Sequence, residues 1–107
     1  MTYAVAMISN PVVDITFAVE SFPVLPAQHQ TIRERLVTPG GPGNTLICGA
    51  RLGLRMIALG NVGEDEFGHF IVERLAAEGV ETAEILLRPD RSTAVTVALA
   101  APNGEHV

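Results

Sequence analysis

The chain has 107 residues, of which 48% are hydrophobic and 18% are charged, and these proportions are typical of one small globular domain. Its net charge is −5 and its seven Lys and Arg residues are scattered, which argues against a nucleic-acid partner, because phosphate binding requires clustered basic side chains. Residues 1–9 lack a basic flank, and their apolar run is too short for a signal peptide or for a membrane span of about 20 residues. We therefore expect neither a nucleic-acid nor a membrane partner.

The cysteine and histidine content predicts neither a disulfide nor a metal site. Cys48 is the only cysteine, so one chain cannot form an internal disulfide or a zinc site of four thiolates. The histidines, His29, His69 and His106, fall in three different predicted elements, far apart in sequence. The composition is typical of a reducing, cytoplasmic compartment.

The N-terminal part is predicted to consist of strands separated by proline-containing breaks. Residues 4–8 form a continuous apolar run, which is typical of a central strand covered on both faces. Residues 12–19 predict a second strand with Asp14 near its beginning, and two prolines make residues 22–26 a loop or a sheet edge. The alternation over residues 31–38 predicts a half-exposed strand.

A glycine-rich turn then introduces helical spacing. Residues 39–43 are predicted to form a tight turn, because so many Gly and Pro residues would interrupt a strand or a helix. A helix is predicted from Asn44 to Gly53, followed by a buried strand that ends at Gly60 and a loop over residues 61–64.

Asp65 is predicted to cap a second helix, which ends at Gly79. Its apolar stripe is interpreted as core packing and consists of Phe67, Phe70, Ile71 and Leu75. We interpret the acidic residues of the segment 63–68 as a helix cap and a solvated loop, and not as catalytic groups.

Two further strands are predicted over residues 85–87 and 95–99, and Asn103-Gly104 is a strong hairpin signal. Few residues follow this turn, so we interpret the chain as a fragment of a longer protein. The succession of strands and helices predicts an α/β layer architecture.

The turn from Gly40 to Asn44 is the best candidate for a ligand site. Gly40, Gly41 and Gly43 allow backbone amides to approach a ligand, and the amide of Asn44 offers a donor and an acceptor to a polyhydroxylated molecule. An ordinary strand-to-helix turn remains an equal alternative. The Gly-Lys-Ser/Thr of a P-loop and the third glycine of a dinucleotide fingerprint are both absent, so a nicotinamide enzyme is a weak alternative.

Four motifs in a fixed order resemble the ribokinase-like, pfkB-type carbohydrate kinases. They are NPVVDIT at residues 10–16, GGPGN at 40–44, GEDEFG at 63–68, and STAVTV at 92–97 with its later Asn-Gly turn. Together they cover almost the whole chain. The resemblance implies a three-layer α/β/α core with a small β-sheet lid, of which residues 1–107 are the N-terminal part.

By this resemblance, the lid strands lie at roughly 12–20, 31–38 and 94–107. Asp14 would accept hydrogen bonds from the hydroxyl groups of a sugar or nucleoside. The same substrate would contact the glycine turn at Gly40, Gly41, Gly43 and Asn44. For Asp14, a turn residue that caps local backbone is the alternative, and for the lid strands the alternative is ordinary edge strands.

Two positions depart from the family pattern. Leu46 stands where a small residue is usual, and Val12 replaces a polar residue of ribokinase, which puts ribose in doubt as the substrate.

The Gly-x-Gly-Asp motif that supplies the catalytic base of the family is absent from the 107 residues. The resemblance implies that the intact enzyme uses ATP and Mg²⁺ to phosphorylate a hydroxyl group. This chain would bind the acceptor, contain no catalytic residue, bind neither cofactor alone and be inactive by itself. The alternative is a non-catalytic binding or dimerisation domain, a homodimer formed through the lid sheet.

Overall fold

The computed structural model describes residues 4–107, which form six strands and two helices. In chain order these are β1 (Ala4–Ile8), β2 (Val12–Ala18), β3 (Glu34–Gly40), α1 (Pro42–Arg51), β4 (Arg55–Gly63), α2 (Glu66–Ala77), β5 (Ile85–Arg88) and β6 (Val95–Ala100).

The first sheet is parallel and has the strand order β1-β4-β5. Helices α1 and α2 contact each other and pack on one face of this sheet. Leu46, Ile71 and Leu75 are fully buried there, against Met56 and Ala58 of β4. The predicted α/β class is therefore confirmed, and the described residues supply the sheet with one helical layer.

The prediction that β1 is covered on both faces is wrong for residues 4–107. Val5 is 41% exposed and Ile8 is 84% exposed. The reason is that β1 is an edge strand paired with β4: Ile8 lies on the face away from the two helices, whereas Val5 shares the helical face with Met7 and lines an open cavity beside α1. An unbroken apolar run thus reflects a strand whose outer face is left bare by this part of the chain.

The second sheet has the strand order β3-β2-β6. Strand β2 pairs with β3 antiparallel and with β6 parallel. In this register Asp14 lies between Thr38 of β3 and Thr96 of β6. The central strand of the sheet therefore carries the predicted site carboxylate.

The prediction that Pro39 and Gly40 leave the strand is wrong, because β3 begins and ends later than the alternation suggested. Pro39 pairs with Val13, and an edge strand tolerates proline because one side of its backbone needs no donor. Helix α1 likewise begins at Pro42 and not at Asn44. Proline suits the first helical position, where its missing N–H has no partner to lose.

Further along, β4 continues to Gly63 instead of ending at Gly60, because β5 pairs with its last residues. The Asn103-Gly104 hairpin is confirmed. The amide of Ala101 donates to the carbonyl of Glu105 at 2.8 Å, and Gly104 has a positive φ of 92°. From residue 4 onward, neither helix is long and apolar enough to cross a bilayer.

A pair of leucine substitutions tests this core. We expect Leu75→Ala to lower the free energy of unfolding by about 2–5 kcal/mol, because it opens a cavity among fully buried side chains. Leu52→Ala is the matched control, since Leu52 is 76% exposed and should change stability by at most about 0.5 kcal/mol. Urea unfolding measures both, and equal losses would contradict the assigned core.

Candidate functional site

Asp14 lies in β2 with a half-buried side chain. A Cβ atom at Gly40 would overlap the carboxyl group of Asp14, so the missing side chain at Gly40 leaves the space that this carboxylate occupies. No hydrogen bond or ion pair with another residue of the segment 4–107 engages the carboxylate. Its position within the strand does not fit the alternative role of a residue that caps local backbone.

The chain turns sharply directly after Gly40. Gly41 has a φ of 55°, a left-handed conformation that favours glycine, and its carbonyl accepts from the amide of Asn44 at 3.1 Å. No side chain caps the N-terminus of α1, and Asn44 is exposed in the first turn of that helix. Asn44 therefore has an exposed side chain four residues after the end of β3, at the start of α1.

Gly43 has a different environment. It is buried, and a Cβ atom there would lie 3.0 Å from the Cβ of Pro39. The small size of Gly43 is therefore explained by the close packing of α1 on β3. The turn is bordered by Asp14, Gly40, Gly41 and Asn44. Gly43 is instead buried where α1 packs on β3.

The face of the second sheet that carries Asp14 also carries threonine side chains. Thr38 and Thr96 are its direct neighbours on the flanking strands, and Thr16 follows two residues later on the same face. A cavity of about 250 Å³ continues along this face and is lined by Thr16, Ala18, Glu34, Leu36 and Ala100. These residues were not predicted as site residues, although the period-two alternation around Asp14 could have indicated them.

A partly buried hydrogen-bond cluster lies where β4, α2 and the segment before β6 meet. Asp65 is the N-cap of α2, as predicted, and its Oδ1 accepts from the amide of Gly68 at 2.8 Å. The hydroxyl of Thr93 donates to the same oxygen at 2.6 Å, and the amide of Thr93 donates to Oδ2 at 2.9 Å. The amide of Gly63 donates to the Thr93 hydroxyl oxygen at 2.9 Å.

These bonds lower the pKa of Asp65, with the Thr93 hydroxyl as the largest cause, followed by the amides of Thr93 and Gly68. An ionised carboxylate that accepts three hydrogen bonds is a structural acceptor, which agrees with its interpretation as a cap. Its partner Thr93 belongs to the STAVTV motif but was not predicted to contact Asp65; it is 6% exposed and lies 28 residues further along the chain.

The two positions that depart from the family pattern lie in different surroundings. Leu46 is 1% exposed and belongs to the hydrophobic core, so it fills space between the helices and the sheet. Val12 pairs with Gly40, and its side chain is half-buried. Val12 thus borders the turn, whereas Leu46 does not reach it.

Comparison with known proteins identifies the family. The profile of the pfkB family carbohydrate kinases matches residues 4–107, which is nearly the whole chain. The chain therefore belongs to the pfkB family of carbohydrate kinases, as its motifs predicted.

Named relatives include a 5-dehydro-2-deoxygluconokinase from Geobacillus thermodenitrificans, 39% identical over 53% of this chain and 16% of the relative. Fructokinase-2 of Solanum habrochaites is 37% identical over 66% of this chain and 22% of the relative. The structure of Arabidopsis thaliana ribokinase with ribose and ATP matches the whole chain with a TM-score of 0.84 and 23% identity, over 35% of its own length. The ribokinase-like fold is thereby confirmed, and the chain spans about a fifth of the length of its sequence relatives.

The Asp65 cluster predicts a pH dependence of stability. Folding lowers the pKa of Asp65, so the cluster's stabilisation is complete above the unfolded value of about 3.9 and is lost as the pH falls through the lower, folded pKa. We expect Asp65→Asn to reduce the loss of stability between pH 6 and pH 3, measured by urea unfolding. Part of the loss remains, because Arg51 and Arg55 lower the pKa of Glu78 and Glu81.

Asp90→Asn is the matched control, since Asp90 is 59% exposed and pairs with the exposed Arg88. It should retain the acid sensitivity of the wild type. Equal pH profiles for Asp65→Asn and the wild type would contradict the assignment.

Proposed function

We propose that the protein is a kinase that transfers the γ-phosphoryl group of ATP to a hydroxyl group of a sugar or nucleoside. Membership of the pfkB family supports this class of reaction. In this proposal residues 4–107 bind the acceptor, and no residue among them performs phosphoryl transfer. We also propose a cytoplasmic location, with which the free thiol of Cys48 is consistent.

The observation that carries the proposal is the carboxylate of Asp14 beside the turn at Gly40. A carboxylate can accept hydrogen bonds from two hydroxyl groups, and such charge-assisted bonds are about twice as strong as neutral ones. The exposed side chain of Asn44 and the backbone of Gly41 would contact the same acceptor. Gly43 would contribute indirectly, because it sets how closely α1 approaches β3.

We propose that the second sheet acts as a lid that closes over the acceptor. The face of this sheet that carries Asp14 has a cavity of about 250 Å³, which leaves room for a ligand against the sheet. Exclusion of water by such a lid would protect the phosphoryl group from hydrolysis.

The described residues do not fit ATP and Mg²⁺. Within residues 4–107 no three His, Cys, Asp or Glu side chains come together to hold a metal ion. The turn before α1 carries Asn44 after Gly43, where a P-loop carries the lysine that reaches the phosphates. We therefore assign no step of nucleotide chemistry to these residues.

Asp14→Asn tests the acceptor site. The protein produced from the complete open reading frame is titrated with D-fructose, D-ribose and adenosine, and ligand binding is followed by thermal shift and calorimetry. We expect the substitution to weaken binding of the responding ligand by at least about tenfold, because a hydrogen bond to a charged group contributes about 1.5–3 kcal/mol.

Asp90→Asn removes the same charge at an exposed position between β5 and β6, outside the assigned contacts, and should bind as the wild type does. An equal ligand response in Asp14→Asn and the wild type would exclude Asp14 from the acceptor site. A wild-type protein that neither binds nor phosphorylates any of these acceptors would contradict the proposed function.

The second candidate function is a dimerisation module that uses the small sheet. Val95 and Val97 lie on the same face of β6 and are 42% and 54% exposed, so they offer an apolar surface to a second copy of the chain. This function does not require phosphoryl transfer.

Val97→Lys tests this candidate. If the small sheet forms a homodimer, the buried charge should convert it to a monomer, as measured by sedimentation velocity. Val24→Lys, at a 50% exposed loop position, should leave the association unchanged. A monomeric wild type would exclude dimerisation.

A further inference from the structure

The hydrogen-bond cluster of Asp65, Thr93, Gly63 and Gly68 has no role in the acceptor contacts assigned above. We propose that Asp65 and Thr93 are positioning residues, which fix the attachment of the second sheet to the first and thereby hold the carboxylate of Asp14 over Gly40. The inference rests on the proposed function, because it concerns the affinity of the acceptor site.

The cluster joins three parts of the chain that are distant in sequence. Asp65 accepts from the amide of Gly68 in α2 and from the amide and hydroxyl of Thr93. The Thr93 hydroxyl oxygen accepts from the amide of Gly63, the last residue of β4. One buried hydroxyl therefore binds the end of the first sheet, the start of α2 and the segment that leads into the second sheet.

The surrounding space permits little movement. A Cβ atom at Gly63 would lie 2.5 Å from the amide nitrogen of Thr93 and 2.7 Å from Oδ2 of Asp65. A Cβ atom at Gly68 would overlap the carbonyl oxygen of Gly63. Because neither glycine has room for a Cβ atom, the backbone before β6 is closely packed against the rest of the cluster.

A short path leads from Thr93 to the candidate site. The carbonyl of Ala94, the next residue, accepts from the amide of Val13 at 3.0 Å. Val13 then pairs with Val95, and Asp14 pairs with Thr96. A displacement of Thr93 is thus passed through one backbone hydrogen bond to the residue that precedes Asp14.

Loss of the Thr93 hydroxyl should disturb this path more than it disturbs the core. Thr93→Val keeps the shape of the side chain but leaves the amide of Gly63 without its acceptor and removes one donor from Asp65. Thr93→Ser keeps the hydroxyl and is the conservative variant. Asp65→Asn retains an acceptor for Gly68 but offers an N–H₂ group to the Thr93 amide.

The test measures steady-state kinetics of the complete protein with D-fructose and D-ribose as acceptors. We expect Thr93→Val and Asp65→Asn to raise the KM for the acceptor by roughly tenfold, because small displacements of a binding group are costly. The KM for ATP should stay unchanged, and Thr93→Ser should restore the acceptor KM to within about threefold of the wild type.

Ile71→Val is the control for general destabilisation, because Ile71 is fully buried in the core and is not part of the cluster. A purely structural role would lower the active fraction, and hence kcat, in the cluster variants without changing the acceptor KM. Such a result in an active protein would overturn the inference and leave the proposed function intact.

Hydrogen exchange of the ligand-free protein gives a second measurement, which does not depend on activity. We expect the amide of Val13 to exchange faster in Thr93→Val than in Thr93→Ser and Ile71→Val, because its acceptor at Ala94 is no longer held. Equal protection of Val13 in all three variants would contradict the inference even if neither sugar is a substrate.

Discussion

The complete burial of Val13 is the constraint on which the arrangement of the candidate site depends. Val13 belongs to the second sheet by its pairing, yet it packs in the same core as Leu46 and Ile71. Successive side chains of a strand point to opposite faces, so burying Val13 directs Asp14 away from the core. The burial of Val13 therefore attaches the second sheet to the core and also places the carboxylate of Asp14 on the opposite face of that sheet.

Local sequence signals predicted the features that depend on neighbouring residues. Asp65 at the start of α2 and the Asn103-Gly104 turn were predictable, because a cap and a hairpin are determined within a few residues. Pro39 was misleading for the opposite reason. Whether proline ends a strand depends on whether that strand lies at an edge, which is a property of the assembled sheet.

The candidate site was predictable only in part. Its position in the chain followed from the motifs around Asp14 and Gly40, but the carboxylate's location over a glycine two residues beyond its strand partner required the register of β2 and β3. Thr93 lies within the STAVTV motif at residues 92–97, but nothing local to that motif indicates its hydrogen-bond partner. Its role arises from a carboxylate 28 residues away, and such a pair becomes visible only after folding.

The parallel pairing of β2 with β6 also has a consequence for how the molecule forms. Val13 and Val95 are neighbours in space but more than eighty residues apart along the chain. Contacts of such long range incur a large loop-closure entropy before they contribute stability, and they slow folding. During synthesis β2 and β3 can pair early, whereas the other edge of β2 must wait for β6. Until then that edge of β2 can pair with other nascent chains, so the protein is prone to aggregate before β6 has been synthesised.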